Sequence, residues 1–235
     1  MKRIVTCCLL VFLLSELYAQ PPNSITLSET SIVKDSTGTI YTYDIWRKLM
    51  MTGYYSLKAE EPSNKNTAFV LFRLSDEVRE KRMASMPKPG ESRFFRTGEV
   101  INDFTAKDIN GNKYKLKELR GKIVVLNFWF IKCPPCQAEI PELNKLVQHY
   151  KDTSIVFLGI ALDEKNELTE FLEKTPFEYS IVHNARYLSE QYKISSFPTH
   201  VIIDKEGKVY FHTTGLAGNT VYWLEKSIKE LFLKP

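Results

Sequence analysis

From Gly98 onward, short apolar runs alternate with amphipathic stretches. Ile123 to Trp129 is almost continuously apolar, as in a central strand covered on both faces. After it, Ile140, Leu143, Leu146, Val147 and Tyr150 recur at helical spacing, with Pro141 inside the pattern predicting a kink. Ile155 to Ala161 reads as a second buried strand. Leu168, Phe171 and Leu172 mark a second helix, and Arg186 to Lys193 a shorter one. His200 to Asp204 and Lys208 to Thr213 form a hairpin turned through Lys205-Glu206-Gly207, and Val221, Leu224, Ile228, Leu231 and Phe232 stripe a closing helix. Ahead of this unit, Ile101 to Asp108 and Lys113 to Leu116 flank Asn110-Gly111, a pair suited to the positive backbone angles of a tight hairpin. This order predicts a mixed α/β sheet with helices on both faces, preceded by a hairpin.

Residues 20–97 carry a weaker pattern. Asp44 is placed to cap a helix running to Met51, with Gly53 as its stop. Ala68 to Leu74 reads as a strand, Asp76 to Arg82 is a charged stretch, and Met83 to Ser92, with Pro87, Pro89 and Gly90, reads as a linker. The expected organisation is a small α+β N-terminal extension over 20–97, packed beside or recruiting a partner for a main domain over 98–235. No internal repeat is present.

The first 19 residues read as an export signal: Lys2 and Arg3, then the apolar run Ile4 to Leu14, then Leu17-Tyr18-Ala19 before Gln20. The apolar run is short for a bilayer span. Cys7 and Cys8 lie inside it, not at the cut where a lipid-modified cysteine would stand. Removal of the leader leaves two of the 4 cysteines, Cys133 and Cys136. An oxidising compartment uses disulfides mainly as staples across long loops, yet this pair closes a ring of only a few residues and constrains the unfolded chain little. Chemistry explains it better than stability. The net charge of +4 is interspersed without a Lys/Arg stripe, which argues against nucleic-acid binding.

Cys133-Pro134-Pro135-Cys136 sits where the apolar run Ile123 to Trp129 gives way to an amphipathic helix. Two cysteines separated by two residues can supply half of a zinc site, but no second pair completes one, so the spacing points to disulfide exchange. Cys133 at a helix start would feel unpaired N–H groups and the positive end of the dipole, which favour a thiolate. Cys136 lies one turn on. Neither proline carries an N–H, so Pro135 withholds a donor from the Cys133 sulfur while suiting the first helical turn. Lys132 places an ammonium beside Cys133. Glu139, three residues beyond Cys136, shares its helical face, where partial burial would let it exchange a proton with the pair. His149, His183, His200 and His212 show no ligand spacing with the cysteines and read as surface or strand residues.

Asn127-Phe128-Trp129, Cys133-Pro134-Pro135-Cys136, Glu139 and Pro141, followed by Phe197-Pro198-Thr199 ahead of a strand ending at Asp204 and Gly207, resemble the thioredoxin superfamily. Within it the match is to the exported TlpA-like and ResA-like thiol-disulfide oxidoreductases. The resemblance covers residues 98–235 and implies a thioredoxin-like sheet. It makes Cys133 the attacking thiol, Cys136 the resolving thiol and Glu139 a proton carrier, with Asn127 where thioredoxins themselves hold a buried aspartate. It implies that Phe197-Pro198 is the loop facing the cysteines, with the Phe197 backbone pairing a substrate segment, and that Trp129 packs nearby. Lys132 departs from the tryptophan common at that place. The expected activity is reduction of disulfides in exported proteins, in the periplasm or cell envelope, without metal or organic cofactor. Apocytochrome c is one expected substrate, through cytochrome c maturation, and a membrane thiol electron donor would re-reduce the pair. Two alternatives share the scaffold. A peroxiredoxin-like peroxidase would carry threonine where Phe130 stands, and a Sco-like copper-binding assembly protein would need wider cysteine spacing and a histidine.

Overall fold

A computed structural model describes residues 26–233; the leader expected over 1–19 lies outside these residues. The N-terminal part contains β1 (Val33–Lys34), β2 (Ile40–Tyr41), α1 (Tyr43–Met51), β3 (Tyr55–Ala59), β4 (Phe69–Arg73) and α2 (Asp76–Ser85). Its strands form a sheet of their own in the order β2-β1-β4-β3. The strand read over 68–74 therefore joins this small sheet and leaves the main sheet alone. Thr42, not Asp44, caps α1: Thr42 has an extended backbone, and Asp44 falls in the first turn, where a carboxylate suits the dipole. Gly53 follows the helix at φ +71°, and a Cβ there would stand 2.5 Å from Cε of Met83. The charged stretch at 76–82 proves to be a helix that runs past Met83, capped by Ser75 Oγ accepting the Val78 N–H. Met83 is its one buried side chain, so no apolar stripe announces it.

The strand expected over 101–108 shortens to β5 (Thr105–Lys107), because its partner β6 (Lys113–Lys115) is equally brief and Ile101 and Phe104 turn into the core. A 3₁₀ turn at Leu116–Leu119 leads into β7 (Val124–Trp129), followed by α3 (Pro134–His149), β8 (Val156–Ala161), α4 (Lys165–Lys174), β9 (Ser180–Val182), α5 (Arg186–Gln191), β10 (Thr199–Ile203), β11 (Val209–Thr214) and α6 (Thr220–Leu233). The main sheet has five strands in the order β11-β10-β7-β8-β9. β7, β8 and β9 run parallel, while β10 is antiparallel to β7 and to β11. The central run is covered on both faces as its composition predicts. Val125 and Trp129 point to the side holding α3, α4 and α6; Val124, Leu126 and Phe128 point to the side holding α5.

α3 continues through Pro141, which removes one donor from its ladder. Gly159 on β8 is fixed by close approach: a Cβ there would lie 2.8 Å from Cδ1 of Ile181 and 3.1 Å from Nε1 of Trp129. The segment before Gly98 is also part of this core. Phe95 is buried with its ring 5.6 Å from that of Tyr192 and 6.4 Å from that of Phe128, and the Thr213 hydroxyl donates to the Gly90 carbonyl at 2.8 Å.

Candidate active site

β7 delivers the chain to the C-terminal edge of the sheet, and the loop that follows is tied down before the cysteines. Asp163 Oδ2 accepts the Ile131 N–H at 2.8 Å, and the Gln137 side chain donates to the Ile131 carbonyl at 2.5 Å. Burial pushes the Asp163 carboxyl up, while the Ile131 N–H works against that rise. Cys133 is the N-cap of α3: its Sγ accepts the Cys136 N–H at 3.3 Å. Pro134 and Pro135 occupy the first two helical positions, so the sulfur faces a helix start stripped of two donors. Cys133 and Cys136 are joined as a disulfide, the oxidised form of the pair, and both are buried. Lys132 is exposed, where solvent screens its charge.

Beneath the pair, Glu139 is buried on α3 one turn beyond Cys136. Its Oε2 lies 2.8 Å from Nε2 of His200 on β10, a side chain with 0% exposure. Among the described residues Oε1 of Glu139 and Nδ1 of His200 have no hydrogen-bond partner, nor does Oδ1 of buried Asn127. Unsatisfied buried polar atoms are costly and uncommon, so a cluster of them under a redox pair points to chemistry. His200 stands opposite Asn127 in the β10–β7 register, and Asn127 opposite Gly159 in the next pairing, forming one row across the sheet. Tyr179 completes the cluster: burial, then the Glu139 charge, pushes its phenol up.

The Phe197-Pro198 peptide is cis; Pro198 is buried, and its carbonyl accepts the Gly215 N–H at 2.8 Å. Phe197 is half-buried, edge-on to Phe130 with ring centroids 5.3 Å apart. Trp129 packs against Phe171 and Phe177 at 5.7 and 5.4 Å. Of the candidate residues, Cys133, Pro134, Pro135 and Cys136 gather at the helix start. Glu139 lies a turn further down α3, and Asn127 on the sheet face it covers. His200 was missed as a member of the site. Its one sequence signal is the position two residues after Pro198, and nothing local shows that the strand carrying it pairs with the strand of Asn127. Among the described residues no group of three or more His, Cys, Asp or Glu is disposed to hold a metal, and no helix is long and apolar enough to cross a membrane.

A sequence profile of the AhpC/TSA family matches residues 97–212. The thiol-disulfide oxidoreductase ResA of Halalkalibacterium halodurans is 33% identical over 138 residues, covering 57% of this chain and 78% of that protein. A protein from Chlorobium tepidum assigned as thiol:disulfide interchange protein DsbE superposes with a TM-score of 0.54 at 26% identity, over 58% of this chain and 98% of its own. The thioredoxin domain of a thiol-disulfide oxidoreductase from Bacteroides vulgatus gives 0.50 at 27% identity, over 56% and 97%.

Proposed function

The chain belongs to the ResA-like thiol-disulfide oxidoreductases of the thioredoxin superfamily, and on that premise we propose that it is an exported reductase of protein disulfides. The Cys133 thiolate attacks one sulfur of a substrate disulfide, forming a mixed disulfide and releasing the other sulfur as a thiolate. Cys136 then loses its proton and attacks Cys133 Sγ, releasing the second substrate thiolate and closing the intramolecular disulfide. Two electrons pass from the dithiol to the substrate, and the two cysteine protons end on the departing thiols.

The observation that carries this reading is Cys133 Sγ at the N-cap of α3, served by the Cys136 N–H. What surrounds the sulfur supports this direction. An oxidant such as DsbA owes its potential to a stabilised reduced thiolate. Here two prolines remove N–H donors at the helix start, and a buried carboxyl lies one turn beyond Cys136. Beside the one N–H that serves Cys133, both features limit thiolate stabilisation and so favour giving electrons away. Glu139, held by His200, is the group to take the Cys136 proton as the mixed disulfide resolves. Phe130 presents a phenyl ring where a peroxidase would carry threonine, which favours exchange over peroxide reduction.

The leader over residues 1–19 supports export to the periplasm or cell envelope. In such a compartment a membrane thiol donor must return electrons to the pair, and apocytochrome c is a fitting substrate because its haem-binding cysteines must be reduced. Trapping tests the assignment: Cys136→Ala is expected to accumulate mixed disulfides through Cys133, and Cys133→Ala none, by mass spectrometry of adducts. Equal trapping by both variants would remove the distinction between attacking and resolving thiols.

A further inference from the structure

A cavity of about 800 Å³ opens between α1 of the N-terminal part and the first turns of α3. Ile45, Lys48 and Met51 form one wall, and Pro134, Pro135 and Ala138 lie across from them. The helix turn that carries the cysteine pair is thus one side of the groove, and a segment far away in sequence is the other. Trp46 is buried on the inner face of α1, in the core of the small sheet. Ile45, Lys48 and Met51 follow at three-residue intervals on another face and lie in the groove. Ile45 and Met51 are 48% and 40% exposed, and Leu216 at the groove's edge is 43% exposed. These three exposed apolar side chains line the same groove.

The charge of the groove is one-sided. Arg47 and Lys48 are exposed and have no carboxylate within ion-pair distance among the described residues, while Asp44 is the lone acid of the lining. Exposed Lys132, next to Cys133 in sequence, stands outside the groove's lining. The wall has a fixed stance. Tyr54, just after α1, is gripped by Arg79, whose guanidinium carbon is 4.0 Å from the ring centroid, and by Lys145 of α3, whose Nζ is 4.1 Å from it. Glu142 of α3 accepts from Lys145 at 2.7 Å and lies 3.7 Å from Arg79.

We infer that this groove is where the substrate polypeptide docks, and that its occupant is an extended segment of acidic and apolar side chains flanking the disulfide to be reduced. The inference rests on the thiol-disulfide reading for what happens at the cysteines, and on the groove alone for what is recognised. Nine residues of α1 make a wall of about 13 Å, long enough for about four residues of extended chain. Continuity with Pro134 and Pro135 brings such a segment to the redox pair. Exposed Ile45, Met51 and Leu216 offer apolar area, and the cations select an acidic partner and speed its encounter.

The test uses the full mature chain and R47E/K48E, whose altered side chains are exposed and outside both cores. Each, first reduced to the dithiol, is given uncharged bis(2-hydroxyethyl) disulfide and two cystine peptides, one with Asp/Leu flanks and one with Lys/Leu flanks. Binding of fluorescent versions with serine in place of cysteine is followed in parallel. Wild type is expected to reduce the acidic peptide about tenfold faster than the basic one. The double variant should reverse that preference, with rates on the uncharged disulfide within about twofold of wild type. Equal handling of the two peptides by wild type, or an unchanged preference in the variant, overturns the groove while leaving the exchange reading intact. Charge-selective binding without reduction of any disulfide keeps the groove and removes the exchange reading. A dimer that buries this face in sedimentation, and dissociates in R47E/K48E, assigns the groove to a second copy and overturns the proposal.

Discussion

Three buried apolar side chains, Val33, Trp46 and Leu71, hold the small N-terminal sheet together, whereas twenty buried residues line one side of the five-stranded sheet and eighteen the other. A core that small cannot by itself offset the chain entropy of ordering some sixty residues, at roughly 1–2 kcal/mol each. The N-terminal part therefore leans on its neighbour. Besides the Tyr54 grip, Asn219 of the main domain donates to the carbonyls of Met83 and Pro87 at 3.4 and 3.1 Å. The main sheet carries the redox pair on a rigid element, and the attached part places a helix beside that pair. Chemistry sits where the core is deep, and recognition where the structure is cheap to vary.

The sharpest challenge to this division is to move its boundary. A chain beginning at Thr97 loses Phe95 from the core and the Gly90 carbonyl from Thr213, and is expected to be less stable than one beginning at Gly90 by about 3–5 kcal/mol in denaturant unfolding. The chain from Gly90 is expected to reduce a small uncharged disulfide as the full chain does. If it unfolds, the two-part division fails. Next in size, Trp46→Ala removes the largest side chain of the three-residue core and should cost about 3–5 kcal/mol. That loss is expected to stay in the N-terminal part: hydrogen exchange should rise over residues 26–85 and remain unchanged in β7, β8 and β10.

Smaller effects probe the polar row beneath the disulfide. Glu139→Gln is expected to slow resolution of the mixed disulfide roughly 100-fold and to alter the pH profile of cysteine alkylation without moving the unfolding midpoint appreciably. Superimposable profiles would return Glu139 to a structural role. The smallest effect concerns His212, packed 6.3 Å from the Phe95 ring and buried, which pushes its imidazole below the ordinary value of 6.5. The folded chain then binds fewer protons than the unfolded one in that window. Stability should fall as the pH drops from about 6.5 toward the lowered value, and His212→Phe should flatten that slope.

What the sequence discloses follows the range of the interactions. β7, β8, α3 and the β10–β11 hairpin lie within a residue or two of their apolar patterns, because a strand covered on both faces and a helix packed on one write their burial into consecutive residues. The three-residue β9 and the two-residue β1 and β2 are too short to carry a period, and α2 buries only Met83. The cysteine pair and Glu139 are legible since their relation is local to one helix. His200 and the α1 wall are not, since each meets the site through a contact spanning tens of residues that only the sheet register and the docking of the N-terminal part create.

The reduction potential of the Cys133–Cys136 couple, measured by equilibration against redox buffers at neutral pH, tests the central claim most directly. A donor-poor helix start over a buried carboxyl is expected to place it near the reducing value of thioredoxin, about −270 mV. A value near that of the oxidant DsbA, about −120 mV, would contradict the account and reverse the direction of electron flow.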